Sequence, residues 1–282
     1  MEKVKMEENT TEHRKNFLGL FASLTDRHND WQVWQDFCYM AAVALAQPTD
    51  YRQEREEEYM RIVGRYNAKE REAIGNMFVE VVRELELRAV REHKYADVLG
   101  ELYMELELSS KWKGQFFTPY NVCLMMARMT AEKATLADEI NKKGYIQVND
   151  PTCGAGGMFI AFAEHCYEMG INFQESVWFV GQDVDPVVAH MCYIQMSLLG
   201  MAGVVIIGNT LTCNYKDYDR WYTPMSCTPE WQDRQQVEKV KYLFRVLGRG
   251  YATDKGEAPP KVSTNVITLG KVEQLDLFAE AV

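Results

Sequence analysis

The chain has 282 residues, with 31 Lys and Arg against 41 Asp and Glu, a formal net charge of −10. A hydrophobic fraction of 47% and an aromatic fraction of 12% exclude a disordered chain and allow a substantial core. The acid excess argues against strong DNA binding by the chain alone, because duplex DNA is held mainly by Lys and Arg at its phosphates, although a local basic face is not excluded. No apolar run approaches the roughly 20 residues needed to span a bilayer, so no membrane association is expected. The opening stretch MEKVKMEENTTEHRK lacks the apolar centre of a signal peptide, which points to the cytoplasm. The cysteines, at 38, 123, 153, 166, 192, 213 and 227, form no CxxC pair and no Cys/His cluster at ligand spacing. They read as free, mostly buried thiols, and no metal site is expected.

Residues 1–110 read as a helical region. Segment 31–46 is almost wholly apolar after Phe37, contains no Pro or Gly, and predicts a buried helix ending before Gln47-Pro48. Residues 54–66 are heavily charged and predict a solvated helix. From Glu70 onwards, Ile74, Met77, Phe78, Val81, Val82 and Leu85 recur at three- and four-residue spacing, one face of an amphipathic helix. Val98, Leu99, Leu102, Tyr103 and Leu106 mark another such face within 95–108. These stripes are core-packing signals and carry no chemistry.

The pattern changes after Ser110. A Met-rich helix is expected over 121–131, following Thr118-Pro119, where Pro suits a first helical turn. A short strand over 145–148 then runs into Asp150-Pro151 and a glycine loop. Helix 158–169, strand 176–180, helix 186–199 and strand 204–207 follow. Strands alternating with helices predict a parallel, doubly wound sheet. Residues 214–233, rich in Tyr, Trp, Thr and Pro, show little order; 235–247 read as a helix, 248–260 as a flexible loop and 262–269 as one last strand. The expected division is a helical region over 1–110, an α/β domain over 111–270 and a tail over 271–282.

Asp150-Pro151-Thr152-Cys153-Gly154-Ala155-Gly156-Gly157 follows a strand and opens a helix. Ligands of open α/β sheets sit at the carboxyl ends of strands, where glycines let the backbone turn sharply and approach closely. An ordinary tight strand-to-helix turn has the same look. Two further strand ends favour a nucleoside cofactor. Strand 177–180 ends in Gly181-Gln182-Asp183-Val184-Asp185-Pro186, and a carboxylate there suits the two hydroxyls of a ribose. The next strand ends in Gly208-Asn209-Thr210-Leu211, with an amide placed for an adenine edge.

Gly114-Gln115-Phe116-Phe117-Thr118-Pro119, then DPTCGAGG, GQDVDP and GNTL, is similar in order and spacing to the adenine-N6 DNA methyltransferases, in particular the modification subunits of type I restriction-modification systems. The lead-in Asp97-Val98-Leu99-Gly100-Glu101-Leu102-Tyr103 resembles the same family, and the likeness covers residues 95–212. It implies an α/β, Rossmann-like methyltransferase fold with an abbreviated parallel sheet, and S-adenosylmethionine as cofactor. By resemblance, Phe117, Thr118 and Pro119 line the cofactor pocket. Asp150, Cys153, Gly154 and Gly156 surround the methionine moiety, Asp183 takes the ribose and Asn209 lies by the adenine. The family usually has Asp at the last position; Asn still pairs with an exocyclic amine.

One family motif is missing. Adenine-N6 methyltransferases carry [DNS]PP[YF] at the end of the next strand, where an acceptor and a carbonyl hold the adenine amine and an aromatic ring stacks on the flipped base. This sequence has no NPP, DPP or SPP; its one Pro-Pro stands in Ala258-Pro259-Pro260-Lys261. Trp221, Tyr222, Thr223 and Pro224 read as a packed loop over the cofactor, and Asp219, Trp221 and Tyr222 are the candidates for a diverged acceptor and stacking ring. The stretch after GNTL is short for the remaining strands of a full sheet plus a target-recognition domain, so a protein partner supplying recognition is expected. The readings are a DNA adenine-N6 methyltransferase working alone or with that partner, a non-catalytic cofactor-binding regulator or decoy, and methylation of another substrate through 221–223. A module for NAD has no place for FFTP and GNTL.

Near the end, Gln274, Leu275, Asp276, Leu277 and Phe278 resemble the pentapeptide by which bacterial replication and repair proteins dock on the sliding clamp. Leu277 and Phe278 suit an apolar pocket and Gln274 an amide anchor, while a plain tail folding back on the core is the alternative. A clamp would deliver a weak DNA binder to its substrate. Deleting residues 273–282 is expected to abolish binding to a bacterial sliding clamp in a surface-immobilised assay; unchanged affinity would remove this role.

Overall fold

A computed structural model of the chain describes residues 2–108, 116–212, 218–237 and 266–268. The helical region contributes α1 (Glu2–Thr25), α2 (Asp30–Ala46), α3 (Gln53–Val63), α4 (Ala68–Glu86) and α5 (Val98–Glu105), with a π-helical turn at Leu87–Glu92. Local chemistry sets their starts. The Asn29 side chain accepts from Trp31 N to cap α2, and Asn67 with Glu70 forms a reciprocal capping box on α4. Helix α5 begins three residues later than the apolar stripe suggests, because Asp97 turns its carboxylate onto Gly100 N and becomes the cap.

Next come α6 (Tyr120–Thr130), α7 (Lys133–Lys143), β1 (Ile146–Asp150), α8 (Gly157–Glu168), the short α9 (Phe173–Ser176), β2 (Val177–Asp183), α10 (Pro186–Leu198), β3 (Ala202–Ile207), β4 (Asp219–Tyr222) and β5 (Val266–Thr268). The strand order is β4-β3-β2-β1-β5. All pairs are parallel except β3 with β4. The β1–β2 register sets Asp150 opposite Gly181, and the β2–β3 register sets Asp183 opposite Ile207. The order reverses between β1 and β5, which puts the glycine loop at the switch point where open α/β sheets form their ligand crevice.

Alternate residues of the strands serve two cores. Val177, Phe179 and Val205 face a large cluster, while Trp178, Val180, Val204 and Ile206 face a smaller one built on Trp231. Strands covered on both faces read as near-continuous apolar runs, as VWFV and VVII do. The large cluster runs unbroken from Phe17, Trp34 and Phe37 through Leu99 and Tyr103 to Phe159, Tyr193 and Trp221. Among the described residues the helical region therefore shares its core with the sheet. No helix among the described residues is long and apolar enough to cross a membrane.

Three expectations change. Helix α7 was not anticipated, its apolar residues being few; one of them, Leu136, is buried. Residues 219–227 are ordered, as strand β4 and a 3₁₀ turn, Pro224–Cys227, and are not a loop over the site. The charged helix α3 is not simply solvated. Arg55 is 6% exposed, donates to Asp219 Oδ1 at 2.8 Å and to the Arg220 carbonyl at 2.8 Å, and lies 3.6 Å above the Trp221 ring. Arg52 joins it on Asp219 at 3.1 Å. The latch fastens the helical region to the outer strand of the sheet. Residues 248–260, 271–282 with the pentapeptide 274–278, and most of the helix expected over 235–247 lie outside the described residues.

Arg55→Ala leaves Asp219 and Asp50 short of a buried cation and is expected to cost about 3 kcal/mol in chemical denaturation. A loss within the range of a surface substitution would show that the latch is not stabilising.

Candidate functional site

The site is built where three parallel strands end. After β1, the Asp150 carboxylate accepts from Thr152 N at 3.1 Å and so bends the chain back on itself. Cys153 N then donates to the Gln182 carbonyl at 2.9 Å, carrying the loop across to β2. Gly154 (φ 52°) and Gly156 (φ 94°) adopt left-handed conformations that side chains resist. A Cβ on Gly154 would stand 3.2 Å from the Phe117 ring, and one on Gly156 would stand 3.0 Å from Cys192 Sγ. The glycines thus answer to backbone conformation and to close neighbours together.

Asp183, at the end of β2, accepts from Gly154 N at 3.0 Å through Oδ2 and from Asp185 N at 3.0 Å through Oδ1. Each oxygen keeps a further lone pair. Its carbonyl accepts from Gly208 N at 2.9 Å, and Gln182 Nε2 donates to the Gly208 carbonyl at 3.1 Å. Beyond β3, Thr210 Oγ1 donates to the Pro151 carbonyl at 2.7 Å, closing the turn back onto the first strand end. Asn209 stands exposed between these ties, its Oδ1 accepting from Leu211 N at 3.0 Å. Three strand ends are therefore joined to one another by hydrogen bonds.

Of the expected pocket residues, the structure brings Asp150, Cys153, Gly154, Gly156, Asp183 and Asn209 into this crescent. Phe117 joins them through its contact at Gly154 and packs on Tyr103, ring centroids 5.2 Å apart. Thr118 and Pro119 are exposed beside it; Pro119 opens α6, and the Thr118 carbonyl accepts from Cys123 Sγ at 3.5 Å. Exposed apolar side chains flank the crescent at Phe116, Val184 and Leu211.

Asp219, Trp221 and Tyr222 lie on the outer strand. Trp221 is 1% exposed, walled by Tyr39, His190 and Tyr193, and donates Nε1–H to Asp219 Oδ2 at 2.7 Å. Asp219 also carries the two arginines of the latch, and the Tyr222 carbonyl accepts from the Tyr193 hydroxyl at 3.3 Å. The strand beside β1 is instead β5, with Asn149 opposite Thr268, and the sequence continues from it as Leu269-Gly270-Lys271. Gln182, Gln195 and Thr210 were missed by sequence reasoning. For Gln195 a signal existed: it is a lone carboxamide in the otherwise apolar run Met191 to Met196, His190 preceding it.

Burial pushes the Asp150 carboxyl above the usual carboxylate range, and the charge of Asp183 adds to it. Burial does the same to Asp183, reinforced by Asp185 and opposed by the amides of Asp185 and Gly154. The hydrogen bond to Cys192 and then burial hold the Cys153 thiol well above its ordinary value, so it is an unreactive packing group. Two partly desolvated carboxylates at neighbouring strand ends favour a ligand carrying positive charge.

Residues 94–247, more than half of the chain, match the family model for N-6 DNA methylases, and the chain belongs to that family. It is similar to the type I restriction enzyme MjaIX methylase subunit of Methanocaldococcus jannaschii, with 28% identity over 126 residues, 43% of this chain and 20% of that subunit. The chain thus spans about a fifth of the length of this curated relative. A solved structure from Listeria monocytogenes, assigned as a class I S-adenosylmethionine-dependent methyltransferase, aligns with a TM-score of 0.39 at 14% identity, over 72% of this chain and 54% of that one.

Folded Asp150 and Asp183 hold protons more tightly than the unfolded chain does. Stability of the ligand-free protein is therefore expected to fall as pH rises from the ordinary carboxylate range through their raised values. Thermal unfolding against pH should show this slope, and Asp183→Asn should flatten it; an identical slope in the variant would contradict the assignment.

Proposed function

We propose that this N-6 DNA methylase family member binds S-adenosylmethionine in the crescent at the ends of β1, β2 and β3, and serves adenine-N6 methylation of DNA together with a partner that supplies target recognition. The observation that carries the reading is the mutual tethering of the three strand ends, with Asp183 on Gly154 N and Thr210 on the Pro151 carbonyl. A nucleoside with a charged tail needs such an arrangement: a diol acceptor, a close backbone and an adenine-edge amide, all held at fixed spacing.

The residues fit that cofactor. Asp183 retains lone pairs for two ribose hydroxyls, and Asn209 offers its amide to the adenine. The loop from Cys153 to Gly156 gives the methionine moiety a backbone surface without bulky side chains, and Phe117 closes it from the other side. Asp150 and Asp183 supply the negative field that a sulfonium and an ammonium would offset. When bound, the cofactor supplies an electrophilic methyl group; the chain's own residues orient it and shield it from water.

The partner is supported by the similar methylase subunit, which is by its name part of a type I restriction enzyme. A second reading, cofactor binding without transfer, is favoured by the stretch after β5, which lacks an acceptor-Pro-Pro-aromatic run.

Calorimetry with S-adenosylmethionine and transfer assays with labelled cofactor and DNA, alone and with type I partner subunits, separate these readings. Binding with transfer is the expected result; binding with no transfer to any DNA would favour the second reading, and no binding would overturn both. Asp183→Ala, which removes two charge-assisted hydrogen bonds, is expected to weaken cofactor affinity by about 100-fold.

A further inference from the structure

Helix α10 is buried along most of its length, yet it carries the carboxamide of Gln195 at 0% exposure. A buried primary amide is costly unless its donors and acceptor are met. Here they are. Gln195 Nε2 donates to Asp97 Oδ1 at 2.7 Å and to the Ala155 carbonyl at 2.8 Å, and Oε1 accepts from Leu99 N at 3.1 Å. Asp97 in turn accepts from Gly100 N at 2.9 Å, and its Oδ2 lies 3.1 Å from the place a Cβ on Gly157 would take.

One side chain thus meets the middle of the glycine loop, the cap of α5 and the first turn of α5. Within itself the loop has a backbone turn, Gly156 N on the Cys153 carbonyl at 2.8 Å, but no side chain that reaches the Ala155 carbonyl. Between Gly154 and Gly157 its only side chain is the methyl of Ala155, and α8 begins with Gly156 at its cap, without a side-chain bond. An apolar residue at 195 would fill the same volume, but would leave a buried carbonyl, a carboxylate oxygen and an amide without this partner.

The geometry points to Gln195 as a positioning residue for the cofactor loop. Its hydrogen bond to Ala155 sets the loop backbone at the depth from which Gly154 N reaches Asp183, and its bond to Asp97 ties that depth to the helical region. As a role in cofactor binding, this rests on the reading of the loop as the S-adenosylmethionine cradle; as a role in ordering the loop, it does not.

The test compares Gln195→Leu with Gln195→Asn, which keeps the amide but is one methylene too short to serve all three partners. Ile74→Ala, a core truncation in α4 remote from the loop, is the destabilised control. In the full-length, ligand-free protein, amide hydrogen exchange over 154–157 is expected to rise by at least about tenfold in both Gln195 variants and to stay unchanged in the control. S-adenosylmethionine affinity should fall by about tenfold or more in the Gln195 variants alone, measured well below each unfolding midpoint. Wild-type exchange in a folded Gln195→Asn protein would overturn the inference. If Gln195→Leu does not fold, Gln195→Asn decides. If the wild-type protein binds no S-adenosylmethionine, the cofactor reading fails by itself and the exchange comparison still decides the role of Gln195.

Discussion

A glycine loop closed by one backbone turn, Gly156 N on the Cys153 carbonyl, fixes little of its own position. It lacks the side chains that would anchor it, and two of its residues stand at positive φ, so its conformation must be imposed by what surrounds it. Here the imposition comes from three sides: the Asp183 carboxylate on Gly154 N, the Gln182 carbonyl on Cys153 N and the Gln195 amide on the Ala155 carbonyl. The parallel register of β1 with β2 brings the first two within reach, and the packing of α10 brings the third. The crescent depends on this constraint, because Asn209, Phe117 and the Thr210 tie are all placed relative to the loop.

The same constraint explains why the helical region and the sheet share one core. Asp97 belongs by sequence to the helical part, yet it is the cap of α5 and a partner of Gln195. On the far side, Arg52 and Arg55 of α3 grip Asp219 and the Arg220 carbonyl. The helices are fastened around α10 at two places, once beside the loop at Gln195 and once against Trp221, which packs on His190 and Tyr193.

Much of this was legible in the sequence where a feature is local. The alternation of strands and helices, the strand-end acids and the glycine run are read within a few residues of one another, and their roles follow from backbone geometry. Features made by partners far apart in the chain were not legible. Arg55 sits in a run of charges whose simplest reading is a wet surface; its partner is Asp219, and no local periodicity announces that pairing. Strand β4 was hidden because its few residues are mixed in polarity and its order comes from the β3 edge and the Trp221 packing. Asp97 reads as part of a helix because it lies within the 95–108 stretch, whereas its short side chain accepts from Gly100 N and makes it the cap from which the helix starts.

The strand order carries a consequence for how the molecule assembles. Strand β1 has β2 on one side and β5 on the other. The chain leaves β4 at the opposite edge and passes through residues 223–265 before it can supply β5. During synthesis on the ribosome, a partial sheet of β1 to β4 emerges first, with one edge of β1 bare and its amides and carbonyls open to other chains. Strand β1 then gains its second neighbour later than β2 and β3 gain theirs, and the crevice between β1 and β5 closes only once β5 has emerged.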